Sequence, residues 1–511
     1  MRVKGCALAG AGLAVFLAGL GTPVSAQQEA ARALLTSAAD AMGGLERLRG
    51  LDNFVFTGFG QQVYMDGGGN VTGDVNAPPK WRAVADAQRT FDLANERAVS
   101  QERRSYMFPF AAPFGLSWNR TATLQTGADM LDHPLPAVLE AFDAETELGA
   151  VTLEDGMSVV QFTIDDGTAI WMAIDSATKL PAWTRRVVAH GNLGEVAATS
   201  YFTGYSPYGG VQLPHGLMNR IDWRDQVTLM FQVDSYRLDV PANQLPTFPS
   251  AGASAGSAAA PVAVVTELAD GVWDVRVGTN GGLVIEFDDH LVMFEAGGGP
   301  AAALARIDAA NALVRGKEVT AVIVSHHHFD HTAGLRAAVS RGLSVISHRG
   351  NEGIIREMIS RPAVVFPDAL AMSPHALEFV PVDDHLVLQD GTQRLDIYHV
   401  LGHSHMPNAV FAYLPEPRIM MEGDFGDAAW TWHWWAGAMR MNIEAYDIDP
   451  VRNVAVHGEP GGLPIDETLA HIQAQSERAQ AFCAERMEAD VHVFGCPVQY
   501  DASGPLPLSD R

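Results

Sequence analysis

Short runs of alternating hydrophobic and polar residues fill the chain from residue 27 to about residue 245. Examples begin at Phe54 (FVFTGFGQQVYM), Val159 (VVQFTIDDGTAIWMAID) and Leu213 (LPHGLMNRIDW), with Gly, Asp or Pro between the runs. A period of two, interrupted by turn residues, is typical of antiparallel strands. Apolar residues at helical spacing between residues 28 and 49 predict a helix in front of these strands. We therefore expect a β-rich domain over residues 27–245.

The pattern changes after a stretch rich in Pro, Ala, Gly and Ser. Residues 246–261 have the composition of an interdomain linker. From residue 262 to residue 511, apolar strands alternate with amphipathic helices, as in GGLVIEFDDHLVMFEAGGG, PAAALARIDAANALVRG, EVTAVIVSHHHFDH, LSVISH and GNEGIIREMIS. This alternation predicts a layered α/β domain, in which loops at strand ends carry the ligand-binding residues.

The first 26 residues have the pattern of a secretory signal peptide. Two basic residues precede a short apolar stretch, and the segment ends in Val24-Ser25-Ala26 before Gln27. We expect cleavage after Ala26, no stable membrane span, and a periplasmic or secreted protein; an uncleaved anchor is the alternative. Only Cys483 and Cys496 follow the signal, and such a pair in an oxidising compartment predicts a disulfide, with two buried free thiols as the alternative.

Composition narrows the possible functions. Hydrophobic residues make up 47% of the chain and charged residues 18%, as in a globular protein with a sizeable core. Its length of 511 residues exceeds what one core normally serves, which favours two domains. The formal net charge of −26 repels phosphate backbones, so we expect no nucleic-acid partner and no binding to anionic membranes.

The densest group of chemically active residues is the segment SHHHFDH, residues 325–331. Imidazole and carboxylate groups are the usual zinc ligands at hydrolytic sites. In an extended chain, His326 and His328 point the same way and can share one metal, whereas His327 points the opposite way. Asp330 and His331 can face a second metal, and Asp330 can also act catalytically by accepting a proton from bound water. The alternative is a solvated polar loop.

The segment HHHFDH resembles the His-x-His-x-Asp-His motif of the metallo-β-lactamase superfamily of binuclear zinc hydrolases. The resemblance covers residues 262 to about 475 and implies an αββα sandwich. It also implies a third histidine, a bridging carboxylate and a final histidine. RIMMEGD supplies Asp424 as the bridge, and VRNVAVHG supplies His457 as the final histidine.

The third histidine is ambiguous. His405 is favoured, because HMPNAVFAYLP is similar to the family segment that leads into the next strand, and His403 is the alternative. The resemblance then implies two zinc ions per chain with Asp424 as the bridging ligand. One zinc would have His326, His328 and His405 as its ligands, and the other Asp330, His331 and His457.

Other features of the chain are less specific. AIWMAIDSATKLPAWTRRVV is similar to strands of periplasmic lipoprotein-carrier-like sheets. His190 and His215 are isolated, and we interpret them as ordinary surface or core groups. The four tryptophans between residues 430 and 435 fit either an apolar wall over the metals or interior packing.

These observations predict an exported hydrolase that uses a zinc-bound hydroxide on a small ester, lactone or amide, including a β-lactam. The sequence offers no clear Lys, Arg or Tyr to anchor the substrate, so it does not select among these substrates. It does not indicate the oligomeric state either. One alternative is an iron-dependent oxidoreductase or oxygenase on the same fold. Another is a non-catalytic envelope binding protein with a structural metal site.

Overall fold

The structure is a computed structural model that describes residues 24–65, 80–106, 119–143, 146–249, 261–402, 406, 408–424 and 438–490. Of the predicted signal peptide, only residues 24–26 fall in these ranges, and of the predicted linker only residues 246–249 and 261. The signal peptide and the domain boundaries therefore stay predictions. Within the described ranges, no helix is long and apolar enough to cross a membrane.

Eleven antiparallel strands form one sheet in the first part of the chain, in the order β4-β3-β2-β1-β11-β10-β9-β8-β7-β6-β5. The runs that begin at Phe54 and Leu213 lie in β1 and β10, and the run at Val159 lies in β6 and β7, as their alternation predicted. The strands are β1 (Asn53–Tyr64), β2 (Lys80–Asp92), β3 (Arg97–Tyr106), β4 (Asn119–Thr126), β5 (Glu147–Glu154), β6 (Met157–Thr163), β7 (Ala169–Ile174), β8 (Pro181–His190), β9 (Gly194–Tyr208), β10 (Val211–Ile221) and β11 (Gln226–Leu238).

Helices cover one face of this sheet: α1 (Val24–Met42), α2 (Leu45–Arg49) and α3 (Pro134–Glu140). Their apolar side chains share a core with strand residues such as Phe54 and Phe162. The predicted helix over residues 28–49 is present but divided at Gly43 and Gly44, where φ is +126° and +93°. A side chain at Gly43 would also overlap the carbonyl oxygen of Gly210, so glycine is required there.

Two further sheets form the second part of the chain. The first has seven strands in sequential order, antiparallel from β12 to β15 and parallel from β15 to β18. The second has six strands, also in sequential order. The strands are β12 (Val264–Ala269), β13 (Val272–Arg276), β14 (Leu283–Glu286), β15 (Leu291–Phe294), β16 (Val319–Ile323), β17 (Ser344–His348) and β18 (Phe379–Val382), then β19 (His385–Gln389), β20 (Arg394–His399), β21 (Val410–Leu414), β22 (Ile419–Glu422), β23 (Arg452–Ala455) and β24 (Leu463–Pro464).

The two sheets pack face to face and carry helices on their outer faces. An apolar core with Phe294, Ile323 and Met421 fills the space between the sheets. Outside the first sheet lie α4 (Pro300–Asn311), α5 (Phe329–Thr332), α6 (Leu335–Ser340), α7 (Glu352–Ser360) and α8 (Ala369–Met372). Outside the second lie α9 (Ala438–Ala445) and α10 (Ile465–Glu488). This is the predicted αββα sandwich.

The two parts of the chain pack against each other. Leu193, Val196 and Trp223, from the eleven-stranded sheet and its loops, join the core beneath the outer helices of the sandwich. Arg224 pairs with Glu357 at 2.6 Å across the same boundary. The helices that flank the metal-ligand segment therefore share a buried surface with the N-terminal sheet.

Candidate metal centre

The His-rich segment lies at the carboxyl end of β16. Val319–Ile323 is a parallel strand in the middle of its sheet, so its apolar run is buried, and the polar residues begin where pairing ends. The chain then closes a single helical turn at α5, in which the carbonyl oxygen of His328 accepts hydrogen bonds from the backbone N–H groups of His331 and Thr332 at 3.1 and 3.0 Å. This turn brings Asp330 and His331 back toward the strand end.

Asp330, His331, Asp424 and His457 place one ligand atom each within 4.8 Å of one another. His331 Nε2 lies 3.2 Å from Asp424 Oδ1 and 3.3 Å from His457 Nε2. His457 Nε2 lies 3.5 Å from both Asp330 Oδ2 and Asp424 Oδ1. Neighbouring ligands of a tetrahedral zinc with bonds of about 2.1 Å are separated by about 3.4 Å, so the spacing of this group fits the ion.

A second group consists of His326, His328 and Asp424, whose ligand atoms also lie within 4.8 Å of one another. His326 Nε2 lies 2.9 Å from His328 Nδ1 and 3.7 Å from Asp424 Oδ2. Asp424 therefore directs one carboxylate oxygen to each group, an arrangement in which a carboxylate can bridge two ions. The predicted third histidine, His405, and its alternative, His403, lie outside the described residues, as does the tryptophan run over residues 430–435.

One family model matches the part of the chain that contains the His-rich segment and Asp424. Residues 276–425 match the family model described as the metallo-beta-lactamase superfamily. This segment belongs to the metallo-beta-lactamase superfamily. The comparison with curated proteins gives no match.

Solved structures similar to the chain include two metallo-beta-lactamases. The protein from Pontibacter korlensis is 18% identical with a TM-score of 0.31, over 41% of this chain and 96% of that one. The protein from Hirschia baltica has the same identity and TM-score, over 41% of this chain and 95% of that one. With TM-scores this low, the family assignment rests on the match of residues 276–425.

Charges around the first group favour a cation between its four ligand atoms. Burial disfavours the protonated imidazole of His331, but nearby carboxylates outweigh that cost and raise its pKa well above the usual range: Asp424, Asp330 and Glu295. Burial likewise opposes a charged His457. The hydrogen bond with Asp330 and the charge of Asp424 outweigh burial, so the pKa of His457 is raised. Burial alone would raise the pKa of Asp330, yet the neighbouring histidines lower it. A divalent cation would replace the protons held here.

Histidines outside the two groups have other partners. His327 Nδ1 lies 3.0 Å from Asn351 Oδ1, so its ring turns away from the ligand atoms, as the alternation of side chains predicted. His215 bonds the Tyr208 hydroxyl at 3.1 Å and the Val233 carbonyl oxygen at 3.1 Å, which makes it an ordinary packed histidine.

Two supporting residues were not anticipated from the sequence. Glu295 is fully buried; its Oε1 accepts a hydrogen bond from the Ser325 N–H at 2.9 Å and lies 3.4 Å from His331 Nδ1. The Ser325 hydroxyl lies 2.9 Å from His326 Nδ1. Glu295 and Ser325 each contact an Nδ1 atom, whereas the Nε2 atoms of His331 and His326 face the other ligands. These contacts orient the two imidazole rings. The sequence offered one signal for Glu295: a carboxylate directly after the apolar run LVMF, at the end of a strand.

Proposed function

We propose that the chain is an exported binuclear zinc hydrolase that acts on a small ester, lactone or amide. The observation that carries the proposal is the position of Asp424, whose two oxygens face separate groups of ligand atoms. A purely structural zinc usually has a closed shell of four ligands, and two joined groups exceed that need. The membership of residues 276–425 in the superfamily supports a metal-dependent hydrolase-like fold.

The protein's own residues would divide the work as follows. His326, His328 and Asp424 would hold one zinc together with His405, and Asp330, His331, His457 and Asp424 would hold the other. Bound zinc supplies a water nucleophile near neutral pH and a Lewis acid for the carbonyl oxygen. Asp330 has the most exposed side chain of its group, at 21%, and its lowered pKa keeps it ionised. We assign it the additional role of proton acceptor.

Charge and the predicted export narrow the substrate class. A net charge of −26 disfavours a phosphodiester and favours a small substrate without a large negative charge. An ester, a lactone or an amide meets that condition, and a β-lactam is one member of the amide class.

The deciding experiment combines metal analysis with hydrolysis of a panel of chromogenic lactones, esters and β-lactams. We expect close to two zinc ions per chain and turnover that a chelator removes. His328→Ala should lower the metal content and abolish turnover while the N-terminal sheet stays folded. His327→Ala is the matched control, because the adjacent ring bonds Asn351 instead, and it should keep both metal and turnover.

Two results would contradict the proposal. Full turnover in His328→Ala would show that the assigned ligands do not carry the reaction, and iron without hydrolysis would shift the function to oxygen chemistry.

Export is tested separately, by determining the mature N-terminus in the periplasmic fraction and in the medium. A chain that begins at Gln27 is expected, and a full-length chain retained in the cytoplasm would exclude this part of the proposal.

A further inference from the structure

The N-terminal sheet reaches the metal-binding turn directly. Strands β8 and β9 are joined by a tight turn over residues 191–193, and this turn lies against α5 of the sandwich. A methyl group at Gly191 would lie 3.6 Å from the carbonyl oxygen of Ala333, which shows how closely the two backbones approach. The contact joins residues more than 130 positions apart in the sequence.

Asn192 makes the central polar contact of this turn. Its side-chain N–H₂ donates to the Phe329 carbonyl oxygen at 2.9 Å and to Thr332 Oγ1 at 2.8 Å, which uses both of its protons. The Thr332 hydroxyl in turn donates to the carbonyl oxygen of His328 at 2.8 Å. Asn192 and Thr332 are buried, so water does not compete for these bonds. A continuous hydrogen-bonded chain therefore links the N-terminal sheet to the backbone of a metal ligand.

Phe329, in the middle of the motif, anchors the same contact through its ring. The ring meets His190 edge-on at 5.5 Å and Trp223 at 5.5 Å, both from the N-terminal part of the chain. The Phe329 N–H donates to the carbonyl oxygen of Met65 at 3.3 Å. Burial and the charge of Arg361 lower the pKa of His190 to about 4, so it packs as a neutral ring at pH 7.

We propose that Asn192 is a positioning residue for the metal centre, through which the N-terminal sheet holds the turn that carries Asp330 and His331. This inference rests on the proposed function for the identity of the bound ions. A single helical turn is not stable by itself, so α5 needs outside partners to keep its shape. Metal ligands must be held within about 0.5 Å of their productive positions, and Asn192 fixes both ends of the four-residue turn.

The test compares Asn192→Ala with the wild-type full chain in two measurements. Zinc affinity is measured by competition with a chromogenic chelator, and hydrogen exchange is followed in peptides covering residues 326–334 of chelator-treated protein. Removal of the side chain should weaken zinc binding roughly 10–100-fold, the usual effect of losing an outer partner of the ligands. It should also speed exchange in the turn before any metal is added.

Two further variants make the test specific. Thr332→Val removes the same hydrogen-bonded chain from the sandwich side with little change of volume, so it replaces Asn192→Ala if that variant does not fold. If both fold, the double variant should lose little more than either single variant, because they break one chain. Glu357→Ala is the matched control: it breaks the ion pair with Arg224 at the same interface but leaves the Arg224 side chain over the Trp223 ring, and it should leave zinc affinity and exchange of the turn unchanged.

The outcomes separate this inference from the proposed function. If the wild type binds zinc and folded Asn192→Ala binds it equally well, the positioning role is wrong. If the wild type binds no zinc, the proposed function is wrong, and hydrogen exchange alone then tests the positioning role. In that case, unchanged protection of residues 329–333 in folded Asn192→Ala or Thr332→Val overturns the inference. Equal losses in Glu357→Ala would show a general effect of the interface and would also overturn the inference.

Discussion

Glu295 is a single buried carboxylate that links the end of β15 to the metal centre. It orients Ser325 and His331, and its Oε2 has no hydrogen-bond partner among the described residues. We expect Glu295→Gln to weaken zinc binding about 10–100-fold, because the amide keeps the shape but loses the charge that supports His331. Glu286→Gln, which changes a carboxylate paired with Lys317, is the control. Unchanged zinc affinity in a folded Glu295→Gln variant would refute this role.

The histidines of the first group predict how the metal-free protein responds to pH. A raised folded-state pKa contributes stability that is fully present below the unfolded value of about 6.5 and is lost as the pH rises through the folded value. His331 and His457 both have raised pKa values. The contribution of these two histidines to the free energy of unfolding of chelator-treated protein should therefore fall by about 1 kcal/mol or more between pH 6 and pH 9. The difference between the wild type and His457→Gln isolates part of this contribution from histidines with lowered pKa values, such as His190.

Urea unfolding at a series of pH values measures this effect. Zinc-loaded protein is the control, and it should show the opposite trend, because zinc competes with protons for the same imidazoles and binds more tightly as the pH rises. A difference in stability between the wild type and His457→Gln that stays constant or grows over this range would contradict the assigned charges.

At the scale of elements, the metal centre requires β22 to meet the end of β16 closely. Gly423 follows β22, and an added Cβ would overlap the Ser325 hydroxyl and lie 3.2 Å from His326 Nδ1. Gly423→Ala should therefore destabilise the fold by about 1–3 kcal/mol and weaken zinc binding, since the bridging Asp424 moves with it. In Gly353→Ala, within α7, the added carbon meets no atom within 4 Å, and stability should stay equal or rise by up to about 1 kcal/mol. Thermal unfolding and zinc titration of both variants decide the matter.

The elements that the sequence predicted correctly are those whose pattern is local. Alternating runs located β1, β6, β7 and β10, and the apolar run before His326 located β16. In each case the order of apolar and polar residues along the strand reflects whether one face or both faces are buried. The opposite orientations of His326 and His327 followed from the same period of two.

Residues that act across long sequence distances could not be predicted in this way. Asn192 is an ordinary turn residue in its own strand pair, and its importance arises only where two sheets meet. Glu295 directly follows β15 and lies 30 positions before its partner Ser325. No periodic pattern in the sequence relates two residues at that separation. The third histidine stays open for a different reason: His403 and His405 are two positions apart in the sequence, and both lie outside the described residues.

At the scale of the whole molecule, the shared core at the interface predicts that the N-terminal sheet and the sandwich unfold together. Leu193, Val196 and Trp223 are buried among the sandwich helices, so separating the two parts would expose apolar surface. Tryptophan fluorescence and far-UV circular dichroism should therefore report one coincident urea transition. Two well-separated transitions in the wild type would contradict a shared core.

Glu195 provides the variant that tests this coupling. Its Oε2 accepts hydrogen bonds from the backbone N–H groups of Val364, Val365 and Phe366 at 2.9, 2.8 and 3.3 Å, so one carboxylate of the N-terminal sheet holds a whole loop of the sandwich. Glu195→Ala should lower the free energy of unfolding by about 1–2 kcal/mol, because several charge-assisted bonds at a partly exposed site are lost together. Glu147→Ala, on the exposed edge strand β5, should have no measurable effect. If Glu195→Ala unfolds in one transition at lower urea, the interface transmits the loss to the whole chain. Two separate transitions, of which only one moves, would mean that the sheet and the sandwich fold independently.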